Sequence, residues 1–314
     1  MSAPVKVLYI AGAGRTGSTL VEKLLGQLDG VFAGGELTFL WGYALRGRCS
    51  CGLDLRECTV WKAIFDEAFG GFDGVDADEM VALRARSDSR TLPLLVSKQA
   101  RQRLLDRLGP YPERIDRVYQ AIRTTTGSRV IVDSSKEPHY SWILDSRPDL
   151  DVRVLHLVRD PRAVAHSWAK RNEQKGIPGT WMEQRSAATS SAYYAISNVA
   201  AEALWRRSGR YLRLRYEDVM ADPIGAGVQI GNLLDEPIDL AQVLPDGRSG
   251  VVHETHSAWG NPNRFDTGPV TLRLDDAWRN GSPTARRAAV TLLNGPLLVH
   301  YGYSIGASHG SPPG

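Results

Sequence analysis

The sequence lacks an apolar run long enough to cross a bilayer. Its strongest candidate, residues 5–13, is too short for a membrane helix and has neither the basic start nor the cleavage site of a signal peptide. This run is better explained as the first strand of a buried core. We therefore predict a soluble, cytoplasmic chain without a membrane anchor.

Blocks of like charge are also missing. The chain has 38 Lys and Arg against 35 Asp and Glu, a formal net charge of +3, and its basic residues are scattered rather than gathered into a tail. This distribution argues against a nucleic-acid partner. With 42% hydrophobic residues, the chain can bury a substantial core.

Cysteine is scarce, since the chain has only 3. An odd number of cysteines argues against a disulfide framework. A zinc knuckle requires four ligands, and Cys49, Cys51 and Cys58 supply three with no histidine nearby. Reduced or locally structural thiols are the favoured interpretation. A local disulfide and a metal site are weaker alternatives, and no metal-binding residue is predicted.

Strand and helix patterns alternate along the chain. Strand-like segments occur at residues 5–13, 31–36, 129–133, 151–158 and 211–216, with helical or irregular stretches between them. Strands joined through helices pair in parallel through right-handed crossovers. The sequence therefore predicts an α/β three-layer fold, in which helices flank a central parallel sheet.

No internal repeat or linker divides the chain, so we predict a single domain over residues 1–306. Within it, residues 42–125 are irregular and then helical and are predicted to form an insertion. Residues 307–314 contain mainly Gly, Ser and Pro and are predicted to be a disordered tail.

The most informative segment follows the first predicted strand. It is a glycine-rich turn that leads into a helix, with the sequence Gly14-Arg15-Thr16-Gly17-Ser18-Thr19. Unpaired N–H groups and the helix dipole make such a helix N-terminus a receptor for an anion, most often a phosphate. The turn resembles a Walker A loop and makes the predicted fold P-loop-like, but the Gly-Lys-Ser/Thr of that motif is missing.

Charged residues also end the other predicted strands. Glu36 follows the second strand, Lys136 the third and Arg159 the fourth. Because ligands bind beyond the carboxyl ends of parallel strands, these side chains are expected in one anion-binding crevice. Ser167, on the helix after Arg159, can complete a clamp for a second phosphate. The alternative is that Arg159 pairs with Asp160 while Ser167 faces solvent.

Two phosphate sites on one sheet suit a nucleotide with phosphates at both ends of its ribose, and here the chain resembles sulfotransferases that use the adenylyl sulfate donor PAPS. Residues 14–19 are similar to the family's loop for the 5′ end of PAPS, and residues 159–167 to its clamp on the 3′-phosphate. Two later segments, around residues 216 and 256–265, also resemble the family. The resemblance implies that PAPS and its product PAP are bound by Gly14, Arg15, Thr16, Gly17, Ser18, Thr19, Arg159, Ser167, Tyr216, Ser257, Asn261 and Arg264.

The cysteine run ending at Trp61 and the C-terminal residues 298–303 resemble bacterial and carbohydrate-type members. The family implies transfer of a sulfuryl group to a hydroxyl, less often an amine, of a small-molecule, carbohydrate or lipid-like acceptor. It also implies that residues 42–125 lie on the acceptor side, together with residues 172–195. Aromatic residues of these segments can line an apolar pocket or belong to the ordinary core, and they are Trp41, Trp61, Trp181, Tyr193 and Tyr194. A bacterial enzyme fits this resemblance, and the oligomeric state is left open, a homodimer included.

In its catalytic residues the chain resembles the tyrosylprotein branch of the family, in which a Glu base follows the phosphosulfate loop and a Lys follows a later strand. The resemblance implies Glu36 as the general base and Lys136 with Arg15 as the cations that stabilise the leaving oxygen, without a metal. Sulfuryl transfer requires mainly such positioning and charge stabilisation. The alternatives are a Glu36 that only holds Arg15, and His139 as the base.

Two other functions are left open. A P-loop kinase or NTPase is favoured by the first strand, loop and helix and by residues 129–133, which imitate a Walker B strand ending in Asp133. The missing Lys-Ser/Thr pair argues against it. A non-catalytic nucleotide-binding module would keep both phosphate sites without turnover, and the presence of Glu36 together with Lys136 argues against that.

Overall fold

The computed structural model describes residues 3–305, so the predicted tail at 307–314 lies outside the described residues. The strands are β1 (Val5–Ala11), β2 (Val31–Gly35), β3 (Val130–Lys136), β4 (Leu150–Val158), β5 (Tyr211–Arg215), β6 (Ser249–Val252) and β7 (Gly268–Thr271). The first five form one sheet in the order β2-β3-β1-β4-β5, and every pairing is parallel. The predicted α/β fold with a central parallel sheet is confirmed.

Helices connect the strands and follow the last of them. They are α1 (Ser18–Leu25), α2 (Thr59–Phe69), α3 (Ala77–Arg84), α4 (Lys98–Leu108), α5 (Tyr111–Thr126), α6 (Pro138–Asp145), α7 (Pro161–Ala169), α8 (Ala187–Trp205), α9 (Tyr216–Ala221), α10 (Pro223–Leu234), α11 (Trp278–Gly281) and α12 (Thr284–His300). Among the described residues, no helix combines the length and apolar character needed to cross a membrane.

Strand β1 shows why the sheet has a core on both faces. Successive side chains of a strand point to opposite faces. Val7 and Tyr9 pack into one apolar layer, while Leu8 and Ile10 pack into the other, and all four are fully buried. A continuous apolar run is therefore what a central parallel strand requires.

Register fixes where the strands end. Lys6 lies opposite Val130 of β3 and Asp151 of β4, so the three central strands begin at one edge of the sheet. They also end together, because Ala11 pairs with both Lys136 and His156. The carboxyl ends of the strands thus meet at one edge, where the predicted site residues lie.

The region 42–125 is helical over much of its length, as predicted. Helices α2 to α5 lie within it, and α2 packs against α5. Trp61 of α2 and Ile122 of α5 are buried in the same apolar cluster as Tyr9 of the central strand. The insertion therefore shares its core with one face of the sheet, while the domain division at 1–306 stays a prediction.

A two-stranded antiparallel sheet of β6 and β7 was not predicted. Its strands are only four residues each and half exposed, so they lack the buried apolar run that identified the central strands. The connection between them, residues 253–267, includes Ser257, Asn261 and Arg264, which are predicted to bind the nucleotide.

Candidate active site

The strand ends open into one cavity of about 720 Å³. Segments that follow β1, β2, β3 and β4 contribute to its wall, as the topology of an open parallel sheet requires. The predicted site residues on the wall are Gly14, Arg15, Gly17, Ser18, Thr19, Glu36, Lys136, Arg159, Ser167, Tyr216 and Asn261. The structure thus brings together the predicted anion loop, the predicted catalytic groups and the predicted clamp.

The glycine-rich loop presents the N-terminus of α1 to this cavity. Gly17 has φ 90°, and a Cβ built on it would lie 2.6 Å from the Tyr216 ring. Both the backbone conformation and the available space therefore require glycine. Within the described residues no side chain caps α1. Leu20 N and Val21 N donate to the Gly17 carbonyl, and the N–H groups of Ser18 and Thr19 are available to an anion.

Arg15 and Lys136 have backbone conformations that are uncommon for residues with a side chain. Their φ angles are 71° and 68°, and Asp235 is the one other described non-glycine residue with positive φ. Such conformations cost energy and concentrate at functional sites. Two of them on the wall of one cavity support its assignment as the functional site.

Glu36 and Lys136 form an ion pair at the end of the sheet. Lys136 Nζ lies 2.7 Å from Glu36 Oε1, and only 9% and 14% of the two side chains is exposed. Lys136 Nζ also donates to the Ser134 carbonyl, while Glu36 N donates to the Trp259 carbonyl at 2.9 Å. The cavity therefore holds a proton acceptor and a cation at adjacent positions.

Arg15 contacts the aromatic wall of the cavity. Its guanidinium lies 4.6 Å from the centre of the Trp168 ring and donates to Met182 Sδ at 3.4 Å. Burial lowers the pKa of Arg15 and the Glu36 charge raises it, and an arginine stays protonated under both influences. Because the ion pair of Glu36 is with Lys136, the structure does not support a Glu36 that serves only to hold Arg15.

Arg159 is held on the wall by Asp275 and Tyr216. One guanidinium nitrogen donates to Asp275 O at 2.9 Å and to Asp275 Oδ2 at 3.0 Å. The guanidinium lies 4.4 Å from the centre of the Tyr216 ring. Asp160 pairs with Arg162 at 2.7 Å, so the alternative in which Asp160 pairs with Arg159 is wrong.

Three residues that were predicted to bind the nucleotide lie behind the wall of the cavity. The Thr16 hydroxyl donates to the Ala13 carbonyl at 3.0 Å. Ser257 is buried and bonded through its backbone to Ser50. Arg264 is buried and donates to two backbone carbonyls at 2.9 and 2.8 Å. These residues hold the loops that form the wall, and direct contact with a nucleotide stays a prediction for each.

His139 and His156 make hydrogen bonds or ion pairs away from the cavity. His139 Nε2 lies 3.2 Å from Glu137 Oε2, and His139 is not among the residues that line the cavity. His156 is buried between Tyr211 and Asn198, with 2.7 Å to each partner, and burial lowers its pKa to about 4. Neither imidazole is placed to take a proton from a molecule in the cavity.

Asp133, the residue that imitates a Walker B carboxylate, faces the core. It accepts hydrogen bonds from the Tyr119 hydroxyl and from Ser135 N. Burial raises the pKa of Asp133 to about 6, and the side chain is not part of the cavity wall. Its position gives no support to a metal-dependent NTPase site.

The apolar part of the wall is the part that motif reasoning mostly missed. It includes Phe39, Trp168, Met182, Tyr193 and Trp259, of which only Tyr193 was expected. The other expected aromatics do not line the cavity, since Trp41, Trp61 and Tyr194 are buried and Trp181 is exposed. Trp168 could have been found, since it directly follows the predicted clamp serine. The others reach the cavity through loops whose path the sequence does not reveal.

The prediction that no histidine lies near the cysteines is wrong, because the fold brings His256 next to them. His256 Nδ1 lies 3.4 Å from Cys58 Sγ and 3.8 Å from Cys49 Sγ. Cys51 completes a group whose ligand atoms all lie within 4.8 Å of one another. The three thiols are free of disulfides. Sequence spacing could not show this, because a distant loop supplies the histidine.

The chain belongs to the sulfotransferase family, whose model matches residues 8–239. It is 26% identical to human carbohydrate sulfotransferase 3 over 172 residues, which are 50% of this chain and 35% of that protein. It is 27% identical to mouse carbohydrate sulfotransferase 5 over 175 residues, 50% of this chain and 43% of that protein. The matched part thus spans less than half of either relative.

Two solved structures show the same fold. The sulfotransferase domain of the Synechococcus PCC 7002 olefin synthase has a TM-score of 0.57 at 20% identity, with 97% of both chains covered. The sulfotransferase domain from the curacin biosynthetic pathway has a TM-score of 0.56 at 18% identity, with 97% of this chain and 100% of that chain covered. The predicted family and the predicted P-loop-like fold are confirmed.

Proposed function

We propose that this chain transfers the sulfuryl group of PAPS to a hydroxyl group of a small-molecule or carbohydrate acceptor. The observation that carries the proposal is the ion pair between Glu36 and Lys136, whose charged atoms lie 2.7 Å apart. Both residues line the same cavity as the N-terminus of α1. In a member of the sulfotransferase family, this arrangement supplies an anion receptor, a base and a cation together.

The cavity has the donors that PAPS would need. The start of α1 offers backbone N–H groups to the 5′-phosphosulfate. Arg159 and Ser167 offer a guanidinium and a hydroxyl to the 3′-phosphate.

The reaction assigns one role to each charged residue. Glu36 takes the proton of the acceptor hydroxyl as its oxygen forms a bond to sulfur. The bond between sulfur and the phosphate oxygen breaks, and the negative charge develops on that oxygen of PAP. Lys136 and Arg15 stabilise this charge, so no step needs a metal. The contact of His139 with Glu137 favours Glu36 over His139 as the base.

The acceptor is expected on the aromatic side of the cavity. Phe39, Trp168 and Trp259 form apolar walls beside Glu36, and aromatic faces suit the C–H faces of sugars as well as apolar small molecules. The names of the curated relatives refer to carbohydrates, which favours a carbohydrate acceptor.

Ligand-dependent thermal shifts test the donor assignment. The parent protein is measured with PAP, with Mg·ATP and with buffer, and the Arg159→Ala variant with PAP. We expect PAP to raise the melting temperature, Mg·ATP to raise it less, and Arg159→Ala to reduce the PAP shift. Arg207→Ala, which removes an exposed arginine, is the control and should keep the full shift.

The thermal shifts, together with an assay of transfer from PAPS, separate the competing functions. A larger shift with Mg·ATP than with PAP would favour the kinase or NTPase. PAP binding without transfer from PAPS to any member of a hydroxyl library would favour a non-catalytic module. No shift with PAP in the parent protein would overturn the proposal.

A further inference from the structure

The cysteine–histidine cluster lies outside the residues that line the cavity, and the proposed reaction does not use it. Cys49, Cys51, Cys58 and His256 each point one ligand atom to a common centre, and all four atoms lie within 4.8 Å of one another. We propose that these four residues bind one zinc ion as a structural site. This inference goes beyond the sulfuryl transfer proposed above and does not depend on it.

The distances suit tetrahedral zinc. Zinc binds thiolate sulfur at about 2.3 Å and imidazole nitrogen at about 2.0–2.1 Å, so the S···N edge of a tetrahedron is about 3.6 Å. His256 Nδ1 lies 3.4 Å from Cys58 Sγ and 3.8 Å from Cys49 Sγ. Three sulfurs and one nitrogen fill all four positions, which is typical of a structural rather than a catalytic site.

A tight turn presents the first two cysteines. Cys49 N donates to the Leu53 carbonyl and Gly52 N to the Cys49 carbonyl, each at 2.9 Å. Gly52 has φ +89° with nothing within 4 Å of the position of a Cβ, so the turn is open on its outer side. The sulfurs of Cys49 and Cys51 lie within 4.8 Å of each other, as two ligands of one ion require.

The third cysteine begins helix α2. Cys58 is the N-cap residue of α2, and its side chain makes no capping hydrogen bond. The positive end of a helix dipole favours a thiolate at this position. The helix N-terminus and the 3.4 Å distance to His256 Nδ1 thus suit Cys58 as an anionic ligand.

The fourth ligand is fixed by contacts of its own backbone. Trp61 Nε1 donates to the His256 carbonyl at 2.7 Å. Ser50, between the first two cysteines, accepts from Ser257 N at 2.8 Å through its hydroxyl oxygen and donates from its own N to the Ser257 carbonyl at 3.1 Å. The Ser50 hydroxyl also donates to the Thr255 carbonyl at 2.5 Å. The loop that holds His256 is therefore fastened on both sides of the histidine, and the ligand set is preorganised.

Zinc at this point would join distant parts of the chain next to the active site. The loop that contains His256 continues to Trp259, whose carbonyl accepts from Glu36 N at 2.9 Å, and Ala258 N donates to the Gly34 carbonyl at 3.0 Å. The ion would therefore hold the loop that supports Glu36. A disulfide between two of the cysteines would leave the third thiol and His256 without a function.

Metal analysis of the parent protein tests the site directly. The protein is purified under reducing conditions, dialysed against a chelator-treated buffer and measured by mass spectrometry for bound metals. We expect about one zinc per chain, as one four-ligand site predicts. Replacement of the zinc by Co²⁺ should give the intense visible absorption of a tetrahedral cobalt–thiolate complex.

Two variants localise the ion. His256→Ala should lose most of the zinc, whereas His253→Ala, which changes an exposed histidine on the same connection, should keep it. If His256→Ala does not fold, titration of the parent's thiols with a mercurial reagent and a zinc-sensitive dye still reports whether thiolates release the metal.

Three results would overturn the zinc site. They are a metal-free parent protein that takes up neither Zn²⁺ nor Co²⁺ when reduced, a disulfide in the freshly purified parent, and full zinc content in a folded His256→Ala variant. None of these measurements depends on PAP binding or on sulfuryl transfer. Failure of the zinc site is therefore distinguishable from failure of the proposed function.

Discussion

At the scale of single residues, the site depends on a few side chains whose roles follow from what they contact. Glu36 is a carboxylate on the cavity wall that can accept a proton next to the ammonium group of Lys136, since it lies 2.7 Å from Lys136 Nζ. Arg15 and Arg159 contact aromatic rings, which hold their guanidinium groups in place.

The Glu36→Gln substitution tests the base. It keeps the shape of the side chain and a hydrogen-bonding oxygen for Lys136 but removes the basic carboxylate. Loss of a general base lowers kcat by about 10²–10⁴-fold. We expect a loss of at least about 100-fold in kcat with PAPS and an acceptor, while the PAP-induced thermal shift is retained.

Glu67→Gln is the matched control for this prediction. Glu67 is an exposed residue of α2, so the same change of charge there should leave kcat unaltered. Near-normal turnover of Glu36→Gln with PAPS bound would contradict the assignment and direct attention to His139→Ala.

The residue scale also shows what sequence can reveal about a site. The place of Glu36 and Lys136 on the wall could be predicted because Glu36 directly follows β2 and Lys136 ends β3. The place of Thr16 and Arg264 behind the wall could not, because only the three-dimensional path of the loops decides which way those side chains point.

At the scale of elements, the start of α1 combines two requirements at one glycine. Gly17 has φ 90°, and the Tyr216 ring lies 2.6 Å from where a Cβ would be. Tyr216 in turn packs against Arg159, with 4.4 Å between the guanidinium and the ring centre. A side chain at Gly17 would therefore disturb both phosphate sites.

The Gly17→Ala substitution tests this connection. A left-handed backbone costs a residue with a side chain about 1–2 kcal/mol, and forcing the Tyr216 ring to move adds about 1–3 kcal/mol. We expect Gly17→Ala to lower the free energy of unfolding in urea by about 2–5 kcal/mol and to weaken the PAP-induced thermal shift.

Gly179→Ala separates backbone strain from the clash. Gly179 has a similar φ of +77° but nothing within 4 Å of the position of a Cβ, so we expect only about 1–2 kcal/mol there and an unchanged PAP shift. Equal losses of stability in the two variants would show that contact with Tyr216 contributes nothing.

Elements also differ in how well the sequence predicts them. The stretch between the fourth and fifth predicted strands, where helical or irregular structure was expected, contains the long helix α8, Ala187–Trp205. The strands β6 and β7 were missed because each is short and half exposed, and their pairing depends on contacts distant in sequence.

At the scale of the whole molecule, one buried carboxyl links a helix to the centre of the sheet. Glu22 of α1 accepts a hydrogen bond from the Ser134 hydroxyl of β3 at 2.5 Å and is 2% exposed. Burial raises the pKa of Glu22 from 4.5 to about 7, although Ser134 and the Lys136 charge act in the opposite direction. The folded chain thus favours the protonated form.

The pH dependence of global stability follows from that shift. Between pH 4.5 and about 7 the unfolded chain has an ionised Glu22 while the native state keeps the proton, so the native state binds more protons and its stability falls as the pH rises. A difference of 2.5 pKa units corresponds to about 3 kcal/mol. Glu22→Gln cannot ionise and should escape this loss.

Urea unfolding of the parent and of Glu22→Gln at pH 5 and pH 8 measures this effect. At each pH, the free energy of unfolding of the parent is subtracted from that of the variant. This subtraction removes the contributions of the other titrating groups, such as Asp133, which both proteins share. We expect the variant to gain up to about 3 kcal/mol relative to the parent between pH 5 and pH 8, whereas Glu67→Gln should show no such trend. A pH-independent difference for Glu22→Gln would mean that the buried carboxyl ionises as readily in the native state as in the unfolded chain, and the contact between α1 and β3 would then have to accommodate a full charge.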